Sequence, residues 1–436
     1  MIRTIATCIC ALWVSTASAQ VVVQEFETPN GTDVWLVEEH SIPFVALEIL
    51  IDGGSALDLP GKRGATNMMM GLLEEGAGDL NAQEFQQQRE ALAASFGFRT
   101  FDDSVKISAQ FLTENRDEAI ALLASALNEP RFDEDAIERV RGQILTGIRG
   151  DAKRPNAIAG DAFYAAAFGD HHYGSDQSGT IETVTGLTRD DLIEAHQNAL
   201  VGSRVYVSVV GDITQDEVGT LIDTLLAGLP QDGPDLPGRV EFGLDGGITV
   251  IPFETPQSVA IFGHSGMKRD DEDFFAAYIM NTILGGTGPQ SILMEEVREK
   301  RGLTYGVYTY LIPKDHTELV LGSVASSNQS IAEAIEVIRS EWDRLSTEGF
   351  SQEQLDIAKT YLTGEYPLRF DGNGEIADIL LGMQAIGLPA EYVFERNDYI
   401  NAVTLEDLNR VAAELLRPDD LHFVVVGEPE GLETAE

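Results

Sequence analysis

Two stretches far apart in the chain repeat one pattern of apolar and polar positions. LTRDDLIEAHQNALVGSRVYVSVVGDI (residues 187–213) and VTLEDLNRVAAELLRPDDLHFVVVGEP (403–429) align without a gap at an offset of 216 residues. Leu192 falls on Leu408, Leu200 on Leu416, Val209 on Val425 and Gly211 on Gly427. In each, a threonine (Thr188 or Thr404) precedes a run with leucines at helical spacing, which predicts an N-capped helix. A β-branched run closing on glycine predicts a strand directly after it. The starts of the halves agree too: SIPFVALEILIDGGS (41–55) and ETPQSVAIFGHSG (254–266) each place a proline ahead of a strand that ends on small residues. A helix follows each, expected near 64–75 and 271–284. Further on, residues 117–145 parallel 331–359 as two amphipathic helices separated by a short acidic turn. A period this long exceeds that of any solenoid repeat and means domain duplication.

Strand runs mixed with helix runs predict an α+β fold of two homologous domains, each a mostly antiparallel sheet packed with helices. LPQDGPDLPGRVEFGLDGG (229–247) is rich in Pro, Gly and Asp and reads as the linker, leaving residues 20–228 and 248–436 as the N- and C-terminal domains. A composition of 43% hydrophobic and 23% charged residues in 436 positions supports two separate cores and argues against disorder. Residues 1–19 combine Arg3, an apolar stretch from Ile5 to Val14 and the triplet Ala17-Ser18-Ala19. That is the form of a cleavable signal peptide, with cleavage expected near Ala19, and the apolar run is too short to span a bilayer. No later segment is long and apolar enough to do so. Both cysteines, Cys8 and Cys10, lie in the signal, so the mature chain is expected to have no disulfide, no thiolate metal site and no cysteine nucleophile. Location in the periplasm, or secretion, follows as an expectation. The formal charge of −43 repels nucleic acid and anionic lipid and excludes both as expected partners.

The candidate chemistry is defined by what is absent. FETPNGTDVWLVEEHSIPFVALEILIDGGS (26–55), GATNMMMGLLEEGAG (64–78), FGDHHYG (168–174), VVGDIT (209–214) and ILGGTGPQSILMEEVREKRGLTYGV (283–307) follow in order. Together they resemble the insulinase/pitrilysin metallopeptidases, an inverzincin family, and among them the short, two-domain, processing-peptidase-like type. The resemblance covers nearly the whole mature chain and implies the LuxS/processing-peptidase-like metallopeptidase fold. Active members carry His-x-x-Glu-His on the first helix, where positions i and i+4 share one face and the Glu at i+3 takes a proton from metal-bound water. Here those positions are Asn67, Met70 and Gly71. An amide is a poor zinc ligand, a thioether cannot activate water and glycine has no side chain. The family's third ligand, a Glu on a later helix, falls on Gly142; a one-turn slip would offer Glu138 alone. Glu74-Glu75 and His171-His172 are weighed as substitutes and read as a solvated helix end and as neighbours that cannot both face one metal; Met68 to Met70 read as core. No metal is expected on this chain. LGGTG (284–288) lacks the Lys-Ser/Thr of a phosphate loop.

The second half keeps what the family uses there. In REKRGLTY, Arg298 and Tyr305 match the Arg and Tyr that the resemblance assigns to the substrate carbonyl or its oxyanion, with Arg301 as an alternative to Arg298. Donors aimed at developing negative charge are worth a few kcal/mol. The bland alternative is a surface turn whose cations pair with Glu295, Glu296 and Glu299 while Tyr305 packs at a strand start. The glycine-rich LGGTGPQS resembles a substrate-handling loop of processing peptidases, and the strand near 45–54 is the expected edge for an extended peptide. The resemblance implies a zinc-less, non-catalytic subunit. It would pair with a zinc-bearing homologous peptidase subunit and lend Arg298 and Tyr305 in trans. A stand-alone peptide-binding chaperone or scaffold is the alternative, and a self-sufficient protease with a rebuilt metal site is a third.

Overall fold

The computed structural model describes residues 22–286 and 291–432. Residues 1–21, which hold the expected signal peptide and both cysteines, residues 287–290 of the glycine-rich loop and the last four residues lie outside them. The N-terminal half forms a six-stranded sheet from β1 (Gln24–Glu27), β2 (Asp33–Glu38), β3 (Phe44–Asp52), β4 (Ser95–Thr100), β5 (Ser104–Leu112) and β6 (Val205–Gly211), in the order β1-β2-β6-β3-β5-β4. The C-terminal half has β7 (Gly247–Pro252), β8 (Gln257–Ser265), β9 (Thr304–Pro313), β10 (Glu318–Ser327) and β11 (His422–Gly427), in the order β7-β11-β8-β10-β9. Apart from β1 the two orders are equivalent. In each, one parallel pair (β2 with β6, β7 with β11) sits in an otherwise antiparallel sheet.

The helices that matter here are α1 (Ala65–Leu72), α2 (Arg116–Asn128), α3 (Glu134–Asp151), α4 (Pro155–Phe168) and α5 (Arg189–Ala199) in the first half. In the second they are α6 (Phe274–Leu284), α7 (Ile331–Glu348), α8 (Gln352–Glu365), α9 (Asn373–Ala385) and α10 (Leu405–Leu415). Thr188 and Thr404 cap α5 and α10 through reciprocal bonds with Asp191 and Asp407, so the duplicated sequence makes the same local structure twice. The glycines that close the paired strands have a common cause. Gly211 and Gly427 take φ of 149° and 153°, and a Cβ would lie 2.3 Å from Phe44 O and from Ser258 Oγ respectively.

Each sheet covers one face with its own helices, Val45, Leu47, Ile49 and Ile51 of β3 joining the core beneath α1, α2 and α3. The other face is covered by a helix from the opposite half. α9 lies on β3 and β6, burying Ala377, Leu380 and Met383 against Trp35, Ala46 and Val210, while α4 lies on β8 and β11, with Ala159 against Val259 and Val426. The strands are therefore apolar on both faces. The segment between α-helical Leu226 and Gly247 carries no regular element, yet Val240, Phe242 and Leu244 pack on Phe168 and Leu319. It is a docked strap as well as a connection.

One expectation is overturned. The strand at 45–54 is not an edge: β3 pairs with β5 on one side and β6 on the other, so its backbone groups are taken. The edges are β1 and β4 in the first sheet and β7 and β9 in the second.

Candidate functional site

Helix α1 is fixed at its start by Asp58, whose carboxylate accepts from the backbone N–H of Gly64 and Thr66 and from the Thr66 hydroxyl, each at 2.8 Å. Arg63 ties the same turn to a distant loop, donating to the carbonyls of Ser55, His172, Ser175 and Asp176. The helix ends at Leu72, three residues short of the expected Glu75, because Gly76 turns with φ of 116° and starts a short pairing of Gly76–Ala77 with Leu80–Asn81. Of the positions where zinc ligands were sought, Asn67 is half-buried and makes no side-chain hydrogen bond among the described residues. Met70 is 1% exposed, in the core. Gly71 is exposed, and an added Cβ would touch only Val140 Cγ1, at 3.5 Å. Gly142, on α3 beside α1, is exposed with open space above it.

The donors around this helix do not fit zinc. Glu138 pairs with Arg141 at 3.1 Å, Glu74 with Arg89 at 2.6 Å and Glu75 with Arg139. No group of three or more His, Cys, Asp or Glu suited to a metal occurs among the described residues. His171 and His172 lie in the short turn before Gly174, their rings 4.1 Å apart. They serve the junction of the two halves. Asp103 accepts from His172 Nε2 at 3.0 Å and from the Tyr173 hydroxyl at 2.6 Å, and the Tyr173 oxygen accepts from the backbone N–H of His316. Burial works to raise the Asp103 pKa, but these hydrogen bonds outweigh it and hold the carboxyl below its usual range. Burial beside Asp103 pushes the Tyr173 phenol upward. Next to this network a cleft of about 730 Å³ opens between the halves. Asp52, at the end of β3, faces it with a pKa raised to about 6, chiefly by burial, and among the described residues only the Tyr206 hydroxyl is bonded to its carboxylate.

Beside α1 runs β4, whose outer edge makes no backbone hydrogen bond to another element among the described residues. This six-residue strand is the edge of the sheet beside α1, and the sequence reading passed over it. Its signal was present in SFGFRT and SVKISAQFL flanking Asp102-Asp103, a hairpin pattern.

Arg298 and Tyr305 flank the turn that leads into β9. Arg298 ends a wide helical turn, Met294–Glu299, and is exposed; Tyr305 is 85% exposed at the start of the strand. Neither side chain has a hydrogen bond or ion pair among the described residues. Arg301 is engaged by Glu296, at 2.7 Å, and Lys300 by Glu295 and Glu296. Of Arg298 and Arg301, the guanidinium without a partner among the described residues is therefore that of Arg298, and Tyr305 does not pack at the strand start. The first glycines of the preceding loop are docked: Gly285 O accepts from the backbone N–H of Thr309 at 2.8 Å. The rest of that loop lies outside the described residues.

Family models match most of this architecture. Residues 33–181 match the insulinase family, peptidase family M16, and residues 186–362 match the peptidase M16 inactive domain. The chain belongs to the insulinase family. The family relatives include the non-peptidase homolog YmxG of Helicobacter pylori, 25% identical over 390 residues that cover 89% of this chain and 90% of that one. The uncharacterized zinc protease YmxG of Bacillus subtilis is 24% identical over 407 residues, covering 91% and 96%. Among solved structures, a peptidase M16 inactive domain from Pseudomonas fluorescens superposes with a TM-score of 0.88 at 26% identity, over 95% of this chain and all of that one. A chain of complex III2 from Candida albicans, with Inz-5 bound, matches at 0.77 and 16% identity over 95% and 98%, which is likeness of fold alone. The two-domain α+β fold of inactive M16 proteins is thus the fold of this chain.

Proposed function

We propose that this insulinase-family protein is the zinc-less subunit of a periplasmic metallopeptidase pair. It would hold extended peptide on the β4 edge and present Arg298 and Tyr305 to the active site of a zinc-bearing homologous partner. The observation that carries the reading is the contrast, among the described residues, between an α1 site without metal donors and an Arg298/Tyr305 pair left exposed and unengaged. The exposed Gly71 and Gly142, the first meeting only an ordinary contact with Val140 and the second with open space above it, leave clearance for a chain lying across α1 and α3 toward β4. Likeness to an H. pylori protein named a non-peptidase homolog and to a P. fluorescens inactive domain supports the subunit's lack of activity alone. The test is to pull the mature protein from its own periplasm and assay what accompanies it for zinc and peptidase activity. A zinc-bearing homologue is expected, with turnover that neither chain shows alone. Arg298→Ala or Tyr305→Phe should then lower that turnover by roughly 10²-fold, the size of a lost oxyanion donor, without loosening the complex. Unchanged turnover would sink the reading.

The open β4 edge favours a second reading, because main-chain pairing needs no catalytic residue. A chain recovered alone, metal-free and inactive, yet binding extended peptides, would make it a peptide-holding scaffold.

A further inference from the structure

The duplication brings two equivalent hairpin turns together. β4–β5 and β9–β10 hold the same place in their sheets, and their turns, 101–103 and 314–317, meet beside the cleft between the halves. The contacts that cross there are of different kinds. Lys314 pairs with Asp102, the backbone N–H of His316 donates to the Tyr173 oxygen at 3.2 Å, and His316 Nε2 stands 3.7 Å from Asp103 Oδ1. An ammonium and a carboxylate keep their charges near neutral pH, and a backbone N–H does not titrate. The contact of His316 with Asp103 is the one that changes. At 3.7 Å it is too long for a hydrogen bond, so a neutral imidazole gains little from it, whereas an imidazolium is attracted through its charge.

Histidine is the side chain whose charge changes between pH 5 and 8, and its surroundings decide what the added charge does. Asp102 and Asp103 face His316 from the β4–β5 turn, Lys314 and Asp315 flank it in its own turn, and His171, His172 and Tyr173 stand beside it in the loop after α4. Asp52, at the end of β3, adds to the field at Asp103 and Asp315. Arg63, behind the loop, lies 3.9 Å from Asp102 and is shared with Asp58 at 3.8 Å and with the field of Asp176. Arg239 of the strap and Glu318 of β10 balance each other at 2.6 Å. The carboxylates of Asp52, Asp102, Asp103 and Asp315 thus outnumber the fixed cations Lys314 and Arg63. A proton on His316 moves the junction toward neutrality, and Asp103 receives it as an anion, held so by hydrogen bonds from His172 and Tyr173 against the opposing effect of burial. The cost is repulsion from Lys314 and from a charged His172, whose ring centroid is 5.8 Å away. Lys314 is already paired with Asp102, and Asp315 and Asp52, with no cation bonded to them among the described residues, offset the rest. We propose that His316 is a pH-sensitive clasp between the halves: charged, it draws the β9–β10 turn onto Asp103 and narrows the cleft, and neutral, it lets the cleft widen. The clasp is independent of the peptidase pair proposed above.

The two walls of the cleft can be followed directly. Residues 20–436 contain no cysteine, so the mature chain accepts one spin label at Ala165→Cys and one at Ile386→Cys. Both positions line the cleft, the first on α4, which rides on the second sheet, the other after α9, which rides on the first. Pulsed dipolar spectroscopy should give a shorter and narrower distance distribution at pH 6 than at pH 8. His316→Gln should show the pH 8 distribution at both values, and His316→Arg, charged throughout, the pH 6 distribution at both. Asp52 and Asp315, whose pKa values burial raises, take up protons in the same direction. A pH response that survives in His316→Gln is therefore theirs and overturns the assignment to His316, as does a parent distribution that is the same at both pH values. Thermal midpoints check that each variant is folded. If His316→Gln is not, His316→Arg decides, since a shift that persists in it contradicts the clasp.

Discussion

Helices α1 and α6 occupy the same place in the two duplicated halves and have diverged in opposite directions. α1 offers no metal donors: its inward position 70 is a buried methionine, position 71 and position 142 of α3 are exposed glycines, and the adjacent edge strand β4 is open. α6 keeps a polar group and spends it on the strand beside it. Asn281 donates to Thr309 O while Thr309 N–H donates to Gly285 O, so both outward backbone groups at that point of β9 are taken. An exposed sheet edge is a docking template or an aggregation hazard. The molecule leaves one edge free and plugs its twin. A site without metal donors therefore need not mean a sheet without a binding edge, since strand addition depends on backbone groups rather than side chains.

The largest effect should come from forcing the old chemistry back. Met70→Glu alone places a carboxylate in the core under α1 and should cost roughly 3 kcal/mol or more in urea unfolding at neutral pH. Tolerance of that change would mean that position 70 can turn outward, and that α1 is not committed to the apolar role. Glycine substitutions in the two halves should differ in sign. At Gly285 a Cβ would lie 2.5 Å from Thr309 Oγ1, so Gly285→Ala should destabilise by about 1–3 kcal/mol. At Gly71 the new Cβ meets only an ordinary contact, and Gly71→Ala should gain up to about 1 kcal/mol from helix propensity. A loss at Gly71 would reveal crowding over α1 that the structure does not contain.

Asp52 sharpens the comparison through pH. It ends β3 where Ser265 ends β8; Ser265 is engaged by Arg417, whereas Asp52 has no cation bonded to it. Its pKa rises from 3.8 to about 6 on folding, chiefly through burial, so between these values the folded chain holds the extra proton. The stability that Asp52 contributes is complete below the lower value and is lost as pH rises through the window. Asp52→Asn should gain about 1 kcal/mol at pH 7, discounted for partial exposure, and nothing at pH 4. An identical gain at both pH values would assign the effect to packing. The smallest effect on the fold belongs to Arg298→Ala and Tyr305→Phe, whose side chains touch no partner among the described residues. Their thermal midpoints should match the parent, so that any change in a complex's turnover reads function alone.

Much of this was legible before any coordinates. The pattern at 187–213 and 403–429 encodes capped helix then strand in both halves, because capping and alternation are local, and the close of each strand on glycine marks a backbone approach of about one van der Waals contact. The unsuitability of Asn67, Met70, Gly71 and Gly142 for zinc is likewise a property of side-chain chemistry. What the sequence did not disclose is long-range arrangement. The strand at 45–54 reads as an edge in isolation, yet β6 arrives from far later in the chain to pair with it, Val45 opposite Gly211 among others. That Arg298 has no partner among the described residues while Arg301 is engaged depends on a helical turn too wide to foresee from spacing. The helix exchange between sheets and the Asp103 network across the halves exist only when distant segments meet. Local chemistry and periodicity determined the elements and the missing site; only tertiary packing decided which edge is open, which cations are free and which buried polar atoms lack a partner, because each depends on what another segment covers.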